Sequence, residues 1–148
     1  MAAGGRVVGI GQSAAGFATV SGAAGAGAGL STHLGSGLPR MLPKLDNPLF
    51  AQLAEGRLLA SLIADGVHLP PPALKAMLRA KGLDRSILVS DAVAAATAPG
   101  LYPFAGRVVE HLPDGSVRVR GSRYPAGSAL TLDRAVRNLV ELGIGHAG

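Results

Sequence analysis

The sequence contains no cysteine and no tryptophan, and only three phenylalanines and two tyrosines among 148 residues. Without cysteine there is no disulfide framework, no thiolate-bound zinc and no thiol nucleophile, so any metal would rest on His, Asp, Glu or water. The shortage of aromatics leaves no platform on which bases could stack. Charge is sparse too: charged residues make up 16% of the chain, against about 25% in an ordinary soluble domain. Acids are outnumbered by bases, giving a formal net charge of +5. Apart from Arg6, the Arg and Lys side chains are scattered between Arg40 and Arg137 rather than clustered. They read as a solvated basic face, and no nucleic-acid partner is expected.

No charged side chain lies between Val7 and Thr32, a stretch long enough to cross a bilayer. It is built mainly from Gly, Ala, Ser and Thr, which makes it too weakly apolar, and no membrane partner is expected. The opening residues Met1 to Arg6 lack the hydrophobic centre of a secretory signal, so a cytoplasmic location is the expectation. With hydrophobic residues at 48%, the chain can bury a core, and its length suits a single domain over residues 1–148.

Short β-branched and apolar runs alternate with helical patterns. Arg6 to Ile10, Leu30 to Leu34, Leu58 to Ala64 and Ser86 to Val89 read as strands. The near-continuous apolar character of Leu58 to Ala64 suits a strand buried on both faces of a parallel sheet. Between them, Ala14 to Gly29 is a weakly encoded helix interrupted by glycines, and Asn47 to Leu53 begins another. Ala73 to Lys81 sets Leu74, Met77 and Leu78 on one face with Lys75, Arg79 and Lys81 toward solvent, and Gly82 caps it. Pro113-Asp114-Gly115 between Gly106 to Val109 and Ser116 to Arg120 predicts a β-hairpin. A final helix, capped by Thr131 and stopped by Gly143, carries a stripe of Leu132, Ala135, Val136, Leu139, Val140 and Leu142. Alternating strands and helices indicate βα units and a parallel sheet.

Gln12, His33, His68 and Asp91 each fall at or just beyond the C-terminal end of an expected strand, the face on which (β/α) barrels build their sites. Two simpler chemistries fail. Gly9-Ile10-Gly11-Gln12-Ser13-Ala14 has the spacing of a dinucleotide turn, but the ribose-binding acid about 20 residues on is missing, and the first acid in the chain is Asp46. Ser13, Ser36, Ser90 and Ser128 lack the nucleophile elbow of a serine hydrolase.

Four patches occur in order: Thr32-His33-Leu34-Gly35, Ile63-Ala64-Asp65-Gly66-Val67-His68, Leu88-Val89-Ser90-Asp91-Ala92 and Ala126-Gly127-Ser128-Ala129-Leu130-Thr131. Together they resemble N-acetylglucosamine-6-phosphate deacetylase and its relatives in the amidohydrolase superfamily. That family hydrolyses an acetamide on an amino-sugar phosphate with a divalent metal, zinc by resemblance, on a (β/α)8 barrel. A full barrel takes about 250 residues, so the resemblance implies an α/β chain holding the last four β/α units, a partial barrel with a β-hairpin inserted before the final helix.

By the same resemblance, His33 matches a metal ligand and Asp91 the catalytic carboxylate. His68 matches a histidine that contacts substrate. Asp65, Gly66 and Val67, with Pro125, Ala126 and Gly127, match segments that wall the sugar site. Ser36 and Gly37 fall in the substrate loop, where Arg40 or Lys44 are the candidates to meet the phosphate. Gln12 stands where relatives have a histidine ligand, and the acidic ligand lies outside this stretch. The metal set of this chain is therefore expected to be incomplete. The partner is expected to be a small N-acetyl amino-sugar phosphate. The competing reading is a non-catalytic half-barrel that forms a homo-oligomer or complements a second half.

Overall fold

The computed structural model describes residues 5–39 and 41–145, so Arg40 and the first four residues lie outside the described residues. The chain divides into two units, residues 1–62 with 71–87, and residues 63–70 with 88–148.

The strands β1 (Val8–Ile10), β2 (Ala28–Ser31), β3 (Leu59–Ile63) and β4 (Ser86–Val89) form one sheet in chain order. β1 pairs parallel with β2 and β2 with β3, Leu30 lying opposite Leu59 and Ser31 opposite Ala60. Gly9 is required by this pairing, since a Cβ there would meet Thr32 Oγ1 at 2.9 Å. The glycine that imitates a nucleotide motif thus serves a close approach of β1 to the end of β2. Four of the five residues of β3 are buried, as its unbroken apolar sequence predicts.

In the first unit, α1 (Phe17–Gly25) follows β1. Its sequence has poor helix propensity and its first residue has no cap of its own. The cap comes from Asp46, whose Oδ1 accepts the Phe17 N–H at 2.8 Å. Gly16 leaves room for that carboxylate. Val20, Ala24 and Ala28 pack with Ala51 and Leu58 in a buried cluster. Fully burying a side chain the size of Leu58 is worth about 1.5–3 kcal/mol.

The helix α2 (Pro48–Ala54) starts conventionally: Asn47 Oδ1 accepts from Leu49 N at 3.1 Å and Phe50 N at 3.0 Å, with Pro48 at the first helical position. Along α3 (Pro71–Lys81), Leu74, Met77, Leu78 and Lys81 are the buried positions. Lys81 departs from expectation here. Instead of facing solvent it is 8% exposed, and its Nζ donates to the carbonyls of Gln52 at 2.9 Å and Glu55 at 2.8 Å. The reason is that the C-terminal carbonyls of α2 need donors, and an ammonium suits the negative end of a helix dipole. Burial lowers the Lys81 pKa, the Arg85 charge adds to that, and Glu55 opposes it.

In the second unit the expected hairpin is part of a larger sheet. The strands β5 (Gly100–Phe104), β6 (Arg107–His111), β7 (Ser116–Val119) and β8 (Pro125–Ser128) pair antiparallel in sequence order. β5 and β8 contain Pro and Gly, which hide their strand character in the sequence. Ala105 and Gly106, both with positive φ, make the two-residue turn between β5 and β6. Ala95, Val109 and Val117 form the buried cluster of this unit.

The helix α4 (Leu132–Glu141) departs from expectation in two ways. Thr131 occupies the cap position, but its side chain makes no capping bond. It hydrogen-bonds Asp133 instead, which is the leading cause of that carboxyl's lowered pKa. The apolar stripe is also largely uncovered, with Leu132, Val136 and Val140 exposed and Ala135 the buried residue. The anchoring contact is polar: Asn138 Nδ2 donates to Ala64 O at 2.7 Å. Gly143, at φ 69°, ends the helix as expected, with Ile144 N bonded to Leu139 O and Gly143 N to Val140 O.

Candidate functional site

Four of the expected site residues fall just past the ends of the four strands of the first sheet. Gln12 lies two residues beyond β1, His33 two beyond β2, Asp65 two beyond β3, and Asp91 two beyond β4. Non-glycine residues with positive φ are His33 at 31°, Asp91 at 50° and Ala105 at 49° among the described residues. Two of these three carry the proposed chemistry. Such backbone costs of order 1–3 kcal/mol and persists where its surroundings hold it.

In the first unit, the His33 turn is held from β3. Ser61 Oγ accepts the His33 N–H at 2.6 Å and donates to Ser31 O at 3.1 Å, while Leu34 N donates to Ser61 O at 2.8 Å. Ser61, which sequence reading passed over as one more residue of a buried strand, therefore clamps the turn. Its signal was a hydroxyl inside the apolar run Leu58 to Ala64. The His33 carbonyl accepts from Ser36 N at 2.9 Å, closing a tight turn into the loop that follows. Gly37 lies against the Gln12 carboxamide, and its φ of 69° is one that favours glycine. Gln12, His33, Ser36 and Gly37 are thus brought to one loop cluster. Lys44 lies further along that loop, and Arg40 is outside the described residues.

His33 Nδ1 is buried with no hydrogen-bond partner, which leaves an imidazole nitrogen able to coordinate. One imidazole does not make a metal centre, and an exposed carboxamide at Gln12 is a weak ligand. Among the described residues, no group of three or more His, Cys, Asp or Glu side chains could hold a metal ion. The donor set present here does not fit a complete metal site.

The second unit gathers Asp65, His68, Asp91 and the β8 segment. Asp65 Oδ1 accepts from Val67 N at 2.9 Å and His68 N at 2.8 Å, and Oδ2 lies 2.6 Å from His68 Nδ1. Gly66, at φ 76°, allows this turn. Burial alone would raise the Asp65 pKa, but the hydrogen bonds from the His68 ring and from the His68 and Val67 amides prevail, and its carboxyl sits below the usual range. The side chains of His68 and Asp65 are only 4% and 11% exposed.

Asp91, exposed at its side chain, is fixed by its main chain: its carbonyl accepts from Ser128 N at 2.9 Å, and Ser128 O accepts from Val93 N at 3.2 Å. Pro125 is exposed, Ala126 packs against the Ala95 cluster, and Gly127, at φ 117°, has the Val93 side chain where a Cβ would be. Ser128, dismissed above as a nucleophile, is the residue that joins these pieces. No sequence signal marks it beyond its place in the fourth patch.

No protein-family model matches the chain. Among curated proteins, it is 34% identical to N-acetylglucosamine-6-phosphate deacetylase of Lysinibacillus sphaericus over 139 residues, 93% of this chain and 35% of that protein. It is 35% identical to N-acetylgalactosamine-6-phosphate deacetylase of Escherichia coli O157:H7 over 134 residues, 90% of this chain and 35% of that protein. Among solved structures, N-acetyl-D-glucosamine-6-phosphate deacetylase of Mycobacterium smegmatis matches with a TM-score of 0.86 and 28% identity, over 97% of this chain and 38% of that one. The Pasteurella multocida enzyme matches with a TM-score of 0.83 and 29% identity, over 95% of this chain and 37% of that one. The chain thus spans about a third of the length of these relatives. Across the third that it spans, the sequence and the α/β fold of the chain are similar to those of N-acetylglucosamine- and N-acetylgalactosamine-6-phosphate deacetylases.

Proposed function

We propose that this chain supplies the last four β/α units of a deacetylase barrel acting on an N-acetyl amino-sugar phosphate. The observation that carries the reading is the placement of Gln12, His33, Asp65 and Asp91 two residues beyond four successive strands of one sheet, in a chain related to such enzymes. In the proposed reaction, water attacks the acetamide carbonyl carbon and gives up a proton to the Asp91 carboxylate. The C–N bond then breaks and a proton passes to the leaving amine, yielding acetate and the free amino sugar phosphate. His68 contacts the acetamide. Gly66, Val67 and the segment Pro125 to Gly127 wall the sugar, and Ser36 and Gly37 belong to the substrate loop.

A divalent metal, zinc on the family's pattern, would take His33 as one ligand and would need the others from outside this chain. No step above is assigned to it. Purified chain titrated with zinc is expected to bind weakly, and tight stoichiometric binding would overturn the incomplete ligand set. Glucosamine 6-phosphate, added to isotopically labelled chain, is expected to shift the amide resonances of Val67, His68 and Ala92. An unchanged spectrum at millimolar ligand would overturn the substrate reading.

A second reading is favoured by one observation, the uncovered Leu132, Val136 and Val140 of α4. It is a half-barrel that self-associates or complements another chain through apolar surface and sheet edges. Sedimentation at micromolar concentration is expected to show a species larger than the monomer, and a sharp monomer boundary would exclude self-association.

A further inference from the structure

We propose that Asp65 and Ser128 are positioning residues that fix the ring of His68 with its Nδ1–H turned inward, and that Asp65 acts through this ring rather than on the sugar. The inference deepens the deacetylase reading and rests on it for the meaning of the ring, but not for the geometry.

The Asp65 carboxylate is already fully engaged. Oδ1 holds two main-chain N–H groups, from Val67 and His68, and Oδ2 faces both His68 Nδ1 at 2.6 Å and Ser128 Oγ at 3.4 Å. A carboxylate with four donors around it and a side chain 11% exposed has no lone pair left to offer a ligand. An ionised carboxylate can only accept, so the hydrogen in the 2.6 Å contact must sit on His68 Nδ1. This leaves Nε2 as the ring atom not committed to Asp65. It offers a lone pair when the ring is neutral and an N–H when the ring carries a second proton.

Ser128 ties this pair to the Asp91 loop. Its N–H donates to the Asp91 carbonyl at 2.9 Å, its carbonyl accepts from Val93, and its hydroxyl accepts the Leu130 N–H at 2.8 Å while reaching Asp65. Ser128 is 2% exposed, so none of these groups has water as a substitute. One small residue therefore holds both the main chain of the proposed catalytic carboxylate and the acid that orients the proposed substrate histidine. A hydroxyl is the side chain that fits: it can accept and donate at once in a space too small for an amide.

The test uses the full chain, labelled with nitrogen-15 at histidine, and does not depend on turnover. In the wild type, the neutral His68 ring is expected as the Nδ1–H form, with a low-field, slowly exchanging Nδ1 proton characteristic of a short charge-assisted bond. Asp65→Asn should abolish that proton signal and redistribute the neutral ring toward the Nε2–H form. Ser128→Ala should shift the signal, and Ser128→Thr, which keeps the hydroxyl, should restore it. A wild-type ring in the Nε2–H form, or a low-field signal unchanged in Asp65→Asn, would overturn the proposal. If the asparagine variant does not fold, the wild-type tautomer and the serine pair decide: a wild-type Nε2–H ring, or a signal unmoved in Ser128→Ala, would overturn the proposal. In any assembly that turns over substrate, loss of such an orienting partner should lower kcat about 10–100-fold, with a smaller change in KM. If the ring behaves as expected but His68→Ala leaves glucosamine 6-phosphate binding unchanged, the deacetylase reading fails while the positioning geometry stands.

Discussion

Replacing Ser61 by alanine removes the one hydroxyl that holds the His33 turn. Ser61 is 5% exposed, and its oxygen lies 2.6 Å from His33 N and 3.1 Å from Ser31 O. The alanine leaves a half-buried N–H without its acceptor, which costs about 1–3 kcal/mol. The methyl that remains creates almost no cavity, so this lost bond is the main effect. A value near 2 kcal/mol raises the population of the locally open turn about 30-fold. Hydrogen exchange at the His33 and Leu34 amides measures it directly: both should exchange about 30-fold faster, while amides of β5 to β8 keep their rates. Ser61→Thr keeps the oxygen and should retain most of the protection. Unchanged exchange at His33 in the alanine variant would refute the claim that Ser61 supports the left-handed turn.

Lys81→Met should destabilise the first unit by about 1–3 kcal/mol, since buried carbonyls at the end of α2 lose their donor, as read from urea midpoints. Because the folded Lys81 pKa is lowered, the unfolded chain holds more protons just below about pH 10.4. Wild-type stability should therefore gain on the variant as pH rises through that window. In acid, Asp65 and Glu55 give a pH slope of the same sign. Glu55, hydrogen-bonded by Arg57, is held at about 2 against an ordinary 4.5. The stability both contribute is complete above their unfolded values and is lost as pH falls through the folded ones. Acid unfolding monitored by circular dichroism should thus move to lower pH in Asp65→Asn at matched starting stability, because asparagine has no such contribution to lose. Gly127→Ala should cost more than about 2 kcal/mol, combining a strained φ with overpacking. Val93→Ala in the same chain should recover part of the loss, and no recovery would remove Val93 as the cause.

The parallel strands were legible because their chemistry is local. Leu58 to Ala64 is apolar enough to declare burial on both faces, and Asn47-Pro48 announces the start of α2, whereas Ser86 to Val89, expected as a buried strand, has no buried residue and exposes Ile87 at its edge position. What stayed hidden depends on partners distant in sequence. Asp46 caps α1 across 29 residues, Lys81 closes α2 across a comparable gap, and Ser128 meets Asp65 across 63. β5 and β8 were missed because Pro103 and Pro125 weaken a strand signal that pairing restores. The stripe on α4 misled because periodicity reports that a helix has an apolar side, not which side is covered. For the candidate site, strand ends gave the positions of Gln12, His33, His68 and Asp91, but the residues that orient them are small serines that no pattern singles out.

The dependence of α1 on Asp46 has a wider implication. A helix this rich in alanine and glycine gains little from its own sequence, so seating of the loop preceding α2 favours its first turn by the worth of a cap, about 0.5–2 kcal/mol. That loop also carries Lys44. Ordering of the segment and winding of α1 are one coupled event, and whatever anchors the segment will be sensed at Phe17, a reporter far along the chain from the anchoring side chain.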